Sequence, residues 1–369
     1  MTQPSLARSL GTGDAVVVGL AAMLGAGVFV AFGPAAAAAG SGLLIALGIA
    51  AVIAFCNAVA SAQLAAVHPS SGGTYLFGRV VLGPWWGFLA GWGFVVGKTA
   101  SCAAMAMAFA AYAVPVGGWW QRAVAATVVV AFTAANLHGV TRTADMARVL
   151  LLVTTAVLVG FVALGWALGP TVRPAPLSAP DGARDVLQAA GLLFFAFAGY
   201  ARIATLAEEV RRPQMIGRAI LVALGAAVAL YLAVGLTLVV VLGADLGRTT
   251  TPLADAVVAV GAGWAEPVVR VGAAAASLGA LLALLAGVGR TTLAMARERD
   301  LPGWLDSVDE RHRVPDHAQV AIGVVVVALV LVADLRGAIG FSSFGVLLYY
   351  FVANAAALRQ PAAERRWPR

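Results

Sequence analysis

The sequence predicts an all-α integral membrane protein with about ten transmembrane helices, and three observations carry that prediction. Hydrophobic residues make up 61% of the 369 residues and charged residues only 11%, with a mean hydropathy of +0.92. Apolar runs of about 20 residues, the length that crosses the hydrocarbon core, recur along the chain. Two of these runs carry a glycine-containing interruption at their middles. A water-soluble domain does not have this composition, so we expect the chain to lie in lipid.

The ten predicted spans follow from the apolar runs taken in order. They cover 13–38, 41–66, 85–113, 120–138, 146–168, 186–206, 215–243, 262–289, 317–334 and 338–358. The first span is not a cleavable signal peptide, because its apolar part exceeds the roughly 7 to 15 residues of such a segment and leads into a second span. We therefore predict a cytoplasmic N-terminus at 1–12, a single transmembrane domain at 13–358 and a cytoplasmic tail at 359–369.

The orientation follows from the arginines, because short cytoplasmic loops gather positive charge. With the N-terminus inside, 17 arginines fall on the cytoplasmic side and 6 on the far side. This predicts cytoplasmic termini in an inner (plasma) membrane, and it explains the basic pI by insertion rather than by nucleic-acid binding. Tryptophans near the span ends fit an interfacial belt, namely Trp85, Trp86, Trp119, Trp120, Trp166 and Trp264.

Glycine interrupts the first span at Ala22–Val30 and the sixth at Phe194–Tyr200. Lipid tolerates free backbone N–H and C=O groups only where they line a protein cavity, so such breaks predict a solute site near the midplane. Five spans separate the breaks, and five is odd, so the two halves cross in opposite senses. We predict an inverted repeat, with repeat one at about 13–168 and repeat two at about 186–358.

The chemistry of a break favours a zwitterion. Free N–H groups attract a carboxylate, carbonyl groups accept hydrogen bonds from an ammonium group, and Gly25 and Gly27 let a solute approach the backbone. An amino acid meets both demands. The alternative is that the Gly-x-Gly sequence only lets membrane helices pack closely.

Several motifs resemble the amino acid permeases of the amino acid, polyamine and organocation superfamily, and the resemblance covers nearly the whole chain. In the first half they are Met23–Phe29, Asn57–Ala58, Pro69–Tyr75, Leu82–Gly83, Gly87–Trp92 and Asn136–Gly139. In the second half they are Phe195–Tyr200, Ala207–Pro213, Ala294–Arg297 and Leu301–Pro302, with Tyr350 and Asn354 in the last span. The resemblance implies a LeuT-like 5+5 inverted repeat with spans 1 and 6 broken. Many relatives add an eleventh and a twelfth helix to this ten-helix core.

The resemblance also implies a solute site. The carboxylate would meet the backbone at Gly25, Ala26 and Gly27, and the amino group would meet carbonyls near Met23 and along 194–197. Phe197 matches the aromatic residue that closes over the solute, although it could instead fill the core or face lipid. The implied lining is small or apolar, which fits a neutral side chain: Ala103, Met107, Phe194, Ala196 and Ser277. Glu208, near the inner end of span six, is a gate candidate or merely a solvated charge.

Lys98 is the only lysine in the chain and lies inside the third span. A lysine at mid-membrane costs at least about 2.5–3.5 kcal/mol, so such residues mark ion paths or find partners. Burial favours the neutral form, which would suit a proton carrier. Two alternatives stay open: a permanent cation that binds carbonyls at a broken helix, or a side chain that snorkels to the interface. Some proton-coupled relatives carry a lysine in the fifth helix. This chain has Thr154 and Thr155 at that place.

Other functional classes lack their signatures in the sequence. Cys56 and Cys102 do not have the spacing of a metal site, and the sequence has no phosphate-binding loop and no cluster of catalytic residue types. We therefore predict that the protein binds no cofactor and no metal and is not an enzyme. We predict proton-coupled symport of a neutral amino acid by alternating access, with no nucleic-acid partner. An amino acid or polyamine exchanger and a non-transporting amino acid sensor remain alternatives, and the oligomeric state stays open.

Overall fold

The computed structural model describes residues 12–67, 73–114, 117–139, 144–172, 174–199 and 216–361, and within these ranges it is helical with no strand. The α-helices are α1 (Thr12–Met23), α2 (Gly27–Val30), α3 (Phe32–Ala39), α4 (Leu43–Val67), α5 (Gly73–Val81), α6 (Pro84–Ala113), α7 (Trp119–Leu137), α8 (Ala144–Leu168), α9 (Ala183–Phe197), α10 (Ile216–Leu242), α11 (Pro252–Ala259), α12 (Glu266–Arg297), α13 (Asp316–Val332) and α14 (Leu335–Arg359). Short 3-10 turns at Gly40–Gly42, Gly243–Arg248, Gly263–Ala265 and Gly303–Asp306 connect some of them.

Within the described ranges, six helical stretches are long and apolar enough to cross a membrane. They are Phe32–Ala65, Pro84–Ala113, Arg148–Leu168, Gly217–Arg248, Gly263–Arg297 and Leu335–Arg359. Gly19–Val30 and Asp316–Val332 are apolar but shorter. The chain is therefore a helical multi-pass membrane protein, while the count of ten spans stays a prediction.

The predicted end of the eighth span at residue 289 is wrong for the helix, because α12 continues to Arg297. A helix that has left the hydrocarbon no longer needs apolar residues, so its polar last turns do not end it. Arg297 then pairs with Asp306 at 2.9 Å, beyond the helix end.

Large apolar side chains point outward from the bundle, as lipid contact requires. Ile45, Val52, Leu152 and Val324 are all more than half exposed. Five of the six predicted belt tryptophans are also exposed, and Trp86 is partly buried. The outer surface of the bundle is thus apolar at the middle of the helices and carries tryptophans near the helix ends.

Helix α6 forms the centre of the bundle and crosses α14 at glycines. A Cβ atom built on Gly97 would lie 3.0 Å from Gly345 Cα, and one on Gly345 would lie 2.6 Å from Gly97 Cα. One turn earlier, a Cβ atom on Gly93 would lie 2.9 Å from Gly345 O. Backbone therefore lies directly on backbone at this crossing, which no larger residue permits.

A segment at 174–182, here called the strap, crosses the end of the bundle that the sequence predicts to be extracellular. Its carbonyls at Ala175 and Ser178 accept hydrogen bonds from the N–H groups of Ala244 and Ser41, at 2.9 and 2.8 Å. Gly40 and Gly243 both have a φ of +51° next to the strap. The strap therefore ties the end of span one to the end of α10 through main-chain bonds.

At the opposite end, charged side chains join α5 to the segment that follows α12. We call this group the inner latch. Arg79 Nη1 donates to Asp300 Oδ2 at 2.9 Å, and the Tyr75 hydroxyl donates to the same oxygen at 2.7 Å. Glu298 lies 3.4 Å from Arg79 Nη2. Burial and the hydrogen bond to the Asp300 carboxylate raise the pKa of Tyr75, so its hydroxyl stays a donor.

Candidate solute-binding site

The first helix is interrupted at the predicted glycines. Helix α1 ends at Met23 and α2 begins at Gly27. Between them the N–H of Gly25 donates to the carbonyl of Met23 at 2.7 Å, a tight turn that replaces the α-helical pattern. The break therefore lies where the sequence predicts it, at residues 24–26.

The sixth predicted span also changes conformation at the predicted position. Helix α9 ends at Phe197, and the N–H of Ala198 makes only a long 3.4 Å bond to the carbonyl of Phe195. Ala198 and Gly199 form a turn. Residues 200–215 are not among those described, so neither the predicted gate at Glu208 nor the rest of the predicted sixth span has a position here. The end of α9 is called the second break below.

The two breaks lie against each other through glycine. A Cβ atom on Gly27 would lie 2.6 Å from Ala196 Cα, and one on Gly199 would lie 2.2 Å from the carbonyl oxygen of Ala22. On Gly25 it would lie 3.1 Å from Ala280 Cβ. Close helix packing, the alternative left open for the Gly-x-Gly sequence, therefore explains why no side chain fits at these positions.

One tyrosine hydroxyl links the two breaks. Tyr231 Oη, from α10, lies 2.7 Å from the carbonyl oxygen of Met23 and 3.0 Å from that of Ala196. The side chain is fully buried, and its ring packs against Phe197 with centroids 5.0 Å apart. A hydroxyl has one proton, so it can satisfy the two carbonyls only by sharing that proton between them. An ammonium group at these carbonyls would compete with Tyr231.

Two side chains of α6 donate to further carbonyls of the broken segments. Lys98 Nζ donates to the carbonyl of Ala198 at 3.1 Å, and the Tyr112 hydroxyl donates to the carbonyl of Phe29 at 2.8 Å. Lys98 is only 7% exposed and lies at the middle of a 30-residue helix. A permanent cation that binds carbonyls at a broken helix and a proton carrier would both make this contact, so the role of Lys98 stays a prediction.

The structure brings most, but not all, of the predicted lining together. One apolar cluster contains Met23, Ala26, Phe194, Ala196 and Phe197. Ala103 belongs to a second cluster with residues of α12, and Met107 contacts both clusters. The Ser277 hydroxyl donates within its own helix to the carbonyl of Ala273 at 2.7 Å. Apart from the half-buried Met107, these residues are buried, so a solute reaches them only if helices move.

A cavity of about 470 Å³ lies away from the breaks, between α9 and α14. Its lining includes Gln188, Leu192, Asp334, Arg336 and Phe344. Its lining residues lie in or just before the first halves of the predicted sixth and tenth spans, which the sequence predicts to be on the extracellular side. The breaks themselves are closely packed in the conformation described.

The described residues contain no group of three or more His, Cys, Asp or Glu side chains that could hold a metal ion. Cys56 is exposed and Cys102 is buried on α6, four residues after Lys98. Lys98 is the charged side chain that the described structure brings to the breaks.

The sequence analysis missed Tyr231 and Tyr112. A signal for Tyr231 was present, because it is an aromatic hydroxyl in the middle of α10, where the neighbouring residues are apolar. A buried hydroxyl needs a partner, and carbonyls left free by a broken helix are suitable acceptors. Which carbonyls it meets depends on how the helices cross, and that is not readable from one sequence.

Comparison with known proteins points to one family. The family profile described as amino acid permease matches residues 10–369. An uncharacterized transporter of Mycobacterium tuberculosis is 55% identical over 98% of this chain and 82% of its own length. The methylthioribose transporter of Bacillus subtilis is 27% identical over 96% of this chain and 81% of its own length. Cationic amino acid transporter 4 of Homo sapiens is 29% identical over 96% of this chain and 60% of its own length.

Proposed function

The chain belongs to the amino acid permease family, and from this premise we propose that it is a secondary active transporter that moves a neutral amino acid across the cytoplasmic membrane by alternating access. The family is one of transporters, which agrees with a multi-pass membrane chain. The observation that carries the proposal is the contact between the two breaks, with their carbonyls bridged by the Tyr231 hydroxyl.

In this proposal the solute binds to main-chain groups of both breaks. Its carboxylate meets N–H groups around Gly25, Ala26 and Gly27, once the Gly25 N–H has left the Met23 carbonyl. Its ammonium group takes over the carbonyls that Tyr231 now contacts. Phe197, which packs on the Tyr231 ring, then closes over the solute. Because one solute bonds to both broken segments, it stabilises them in one relative position, and their movement together exposes the solute to either side.

The charge near the site supports a neutral rather than a cationic side chain. Lys98 lies at the Ala198 carbonyl, and the surrounding residues Ala196 and Phe197 are apolar. A second cation in this dry environment would be repelled. The names of two relatives refer to cationic amino acids and to methylthioribose, so both classes belong in the test.

The contact of Lys98 with the second break gives proton coupling a route to the solute site. A protonated Lys98 donates to the Ala198 carbonyl and stabilises the turn after α9. A neutral amine is a weaker donor, so loss of the proton on the cytoplasmic side would free the broken segment and release the solute. A lysine that stays charged would make the same contact, and the protein would then be an exchanger driven by the solute gradients alone.

The test is transport by the full chain reconstituted in vesicles. Counterflow of labelled alanine, leucine, arginine, lysine and methylthioribose identifies the solute class, and an imposed pH gradient tests coupling. We expect uptake of a neutral amino acid that rises when the outside is acidic. In Lys98→Met, uptake should lose its response to the gradient, whereas Arg248→Gln at an exposed site should retain it. Binding without flux for every solute would refute transport, and an unchanged response in Lys98→Met would refute the role of Lys98.

A further inference from the structure

Two histidines face each other at the predicted cytoplasmic end of the molecule, far from the breaks in sequence. His138 follows the last residue of α7, and His312 lies in the connection between α12 and α13. Their ring centroids are 5.4 Å apart and their planes are inclined by 57°. Both side chains reach solvent, so small ions have access to them.

The Nδ1 atoms of both rings already have acceptors. His138 Nδ1 lies 2.8 Å from the carbonyl oxygen of Ala134, and His312 Nδ1 lies 2.9 Å from Asp309 Oδ2. The backbone N–H of His312 also donates to Asp309 Oδ2, at 2.7 Å. Both acceptors hold a proton on Nδ1, so the nitrogen left to bind an ion is Nε2 in each ring.

A histidine bound to a metal ion commonly donates its other N–H to a backbone carbonyl or a carboxylate. His138 has the first kind of partner and His312 has the second, before any ion is bound. The distance between the rings also fits. Two imidazoles that bind one tetrahedral ion at Zn–N distances of about 2.0–2.1 Å have ring centroids about 5 Å apart.

The backbone around His312 is held in place. Asp309 N–H donates to the carbonyl of Val314, and Arg313 N–H donates to the carbonyl of Asp309, both at 2.9 Å. Gly139, next to His138, lies against this turn, because a Cβ atom on it would be 3.8 Å from His312 O. The two rings are therefore presented by segments with fixed positions rather than by free ends.

We propose that His138 and His312 bind a divalent transition-metal ion of the zinc class through their Nε2 atoms. Water completes the tetrahedral coordination, since two protein ligands leave two positions open. The ion ties the end of α7 to the connection between α12 and α13, two segments that lie far apart in the sequence. The site is independent of the solute site and does not rest on the proposed transport function.

The test is calorimetric titration of Zn²⁺ into the purified full chain, without a polyhistidine tag and with Cys56→Ser to remove an exposed thiol. We expect saturable binding of one ion, at least a tenfold loss of affinity in His138→Gln and in His312→Gln, and about a tenfold loss in Asp309→Ala. Co²⁺ in place of Zn²⁺ should give the visible absorption of a tetrahedral complex. Mg²⁺, which prefers oxygen ligands, should not bind.

His317 is the matched control, because its Nδ1 also contacts a backbone carbonyl, that of Trp304 at 2.7 Å, but its ring faces Trp304 rather than a second histidine. His317→Gln should bind Zn²⁺ as the parent chain does. The proposal is overturned if the parent chain shows no saturable binding, or if His138→Gln keeps the parent affinity. Thermal unfolding of each variant is measured without metal as a control. A midpoint equal to that of the parent chain shows that a loss of binding is not a loss of folding.

Discussion

The strap and the inner latch, at opposite ends of this bundle, are held by different kinds of bond. At the predicted extracellular end, strap carbonyls accept hydrogen bonds from the main-chain N–H groups of Ser41 and Ala244. At the predicted cytoplasmic end, side chains of Tyr75 and Arg79 meet the carboxylate of Asp300. Main-chain closure requires a fixed backbone path, whereas side-chain closure can be released by rotation about χ angles. We therefore expect the outer end to be sensitive to backbone strain and the inner end to charge.

The largest effect should follow from Gly40→Val at the outer end. Gly40 has φ +51° and ψ −125°, and a Cβ atom there would lie 2.0 Å from the carbonyl oxygen of Ser178. A β-branched residue in this region is strained by about 1–3 kcal/mol before the clash is added. We expect a loss of about 3 kcal/mol or more, measured as a large drop in the thermal unfolding midpoint. Gly48→Val is the control, since Gly48 is exposed and has no atom within 4 Å of a built Cβ; equal midpoints would contradict main-chain closure.

A smaller effect should follow from Tyr231→Phe, between the two ends. The variant keeps the ring contact with Phe197 but removes the donor shared by the carbonyls of Met23 and Ala196. Leaving buried acceptors without it costs about 1–3 kcal/mol. We expect a lower unfolding midpoint and impaired uptake. Tyr112→Phe removes a comparable bond, to the carbonyl of Phe29. It should lower stability by a similar amount but impair uptake less than Tyr231→Phe does. If Tyr112→Phe impairs uptake more, the solute site is not at Tyr231.

Asp300→Asn sharpens the comparison at the inner end. The amide still accepts from Tyr75 but loses the ion pair with Arg79, whose side chain is 24% exposed. Solvent screens such a pair, so we expect a stability loss of about 1 kcal/mol. The more telling measurement is thiol labelling of Cys102 in a Cys56→Ser background, because Cys102 is buried on the helix face of Lys98. Labelling should become faster, while Asp306→Asn, at a more exposed pair in the same connection, should leave its rate unchanged.

The smallest effect should come from Arg248→Gln at the outer end. Arg248 pairs with Asp245 at 3.2 Å, but their side chains are 81% and 71% exposed. Exposed pairs of this kind contribute little to stability. We expect no resolvable change in the unfolding midpoint at either low or high salt. A salt-dependent drop would mean that charge also closes the outer end, and the contrast between the ends would fail.

The sequence predicted the elements that composition controls. Apolar runs predicted the helices, and glycines predicted the breaks after Met23 and after Phe197, because lipid and free backbone groups impose those patterns locally. The structure places the Lys98 amine at the Ala198 carbonyl, while its role as a permanent cation or a proton carrier stays a prediction. The eighth predicted span ends at 289, before the end of α12 at Arg297, because hydropathy marks the membrane rather than the end of helical hydrogen bonding.

Partners across the bundle were beyond the reach of the sequence. The Tyr231 hydroxyl meets carbonyls 208 and 35 residues away in the chain. Arg79 meets Asp300 across 221 residues. Such pairings depend on crossing angles and helix rotation, which are set by the summed packing of many small side chains. A single arginine or tyrosine in the sequence therefore indicates that a partner exists without identifying it.

The crossing of α6 and α14 limits how the molecule can change shape. Gly93, Gly97 and Gly345 let the two backbones touch, because none of them has a side chain to separate the helices. Sliding one helix past the other would drive backbone atoms into each other. In the proposed transport cycle we therefore expect these two helices to move together, with relative motion taken up on other faces of α6.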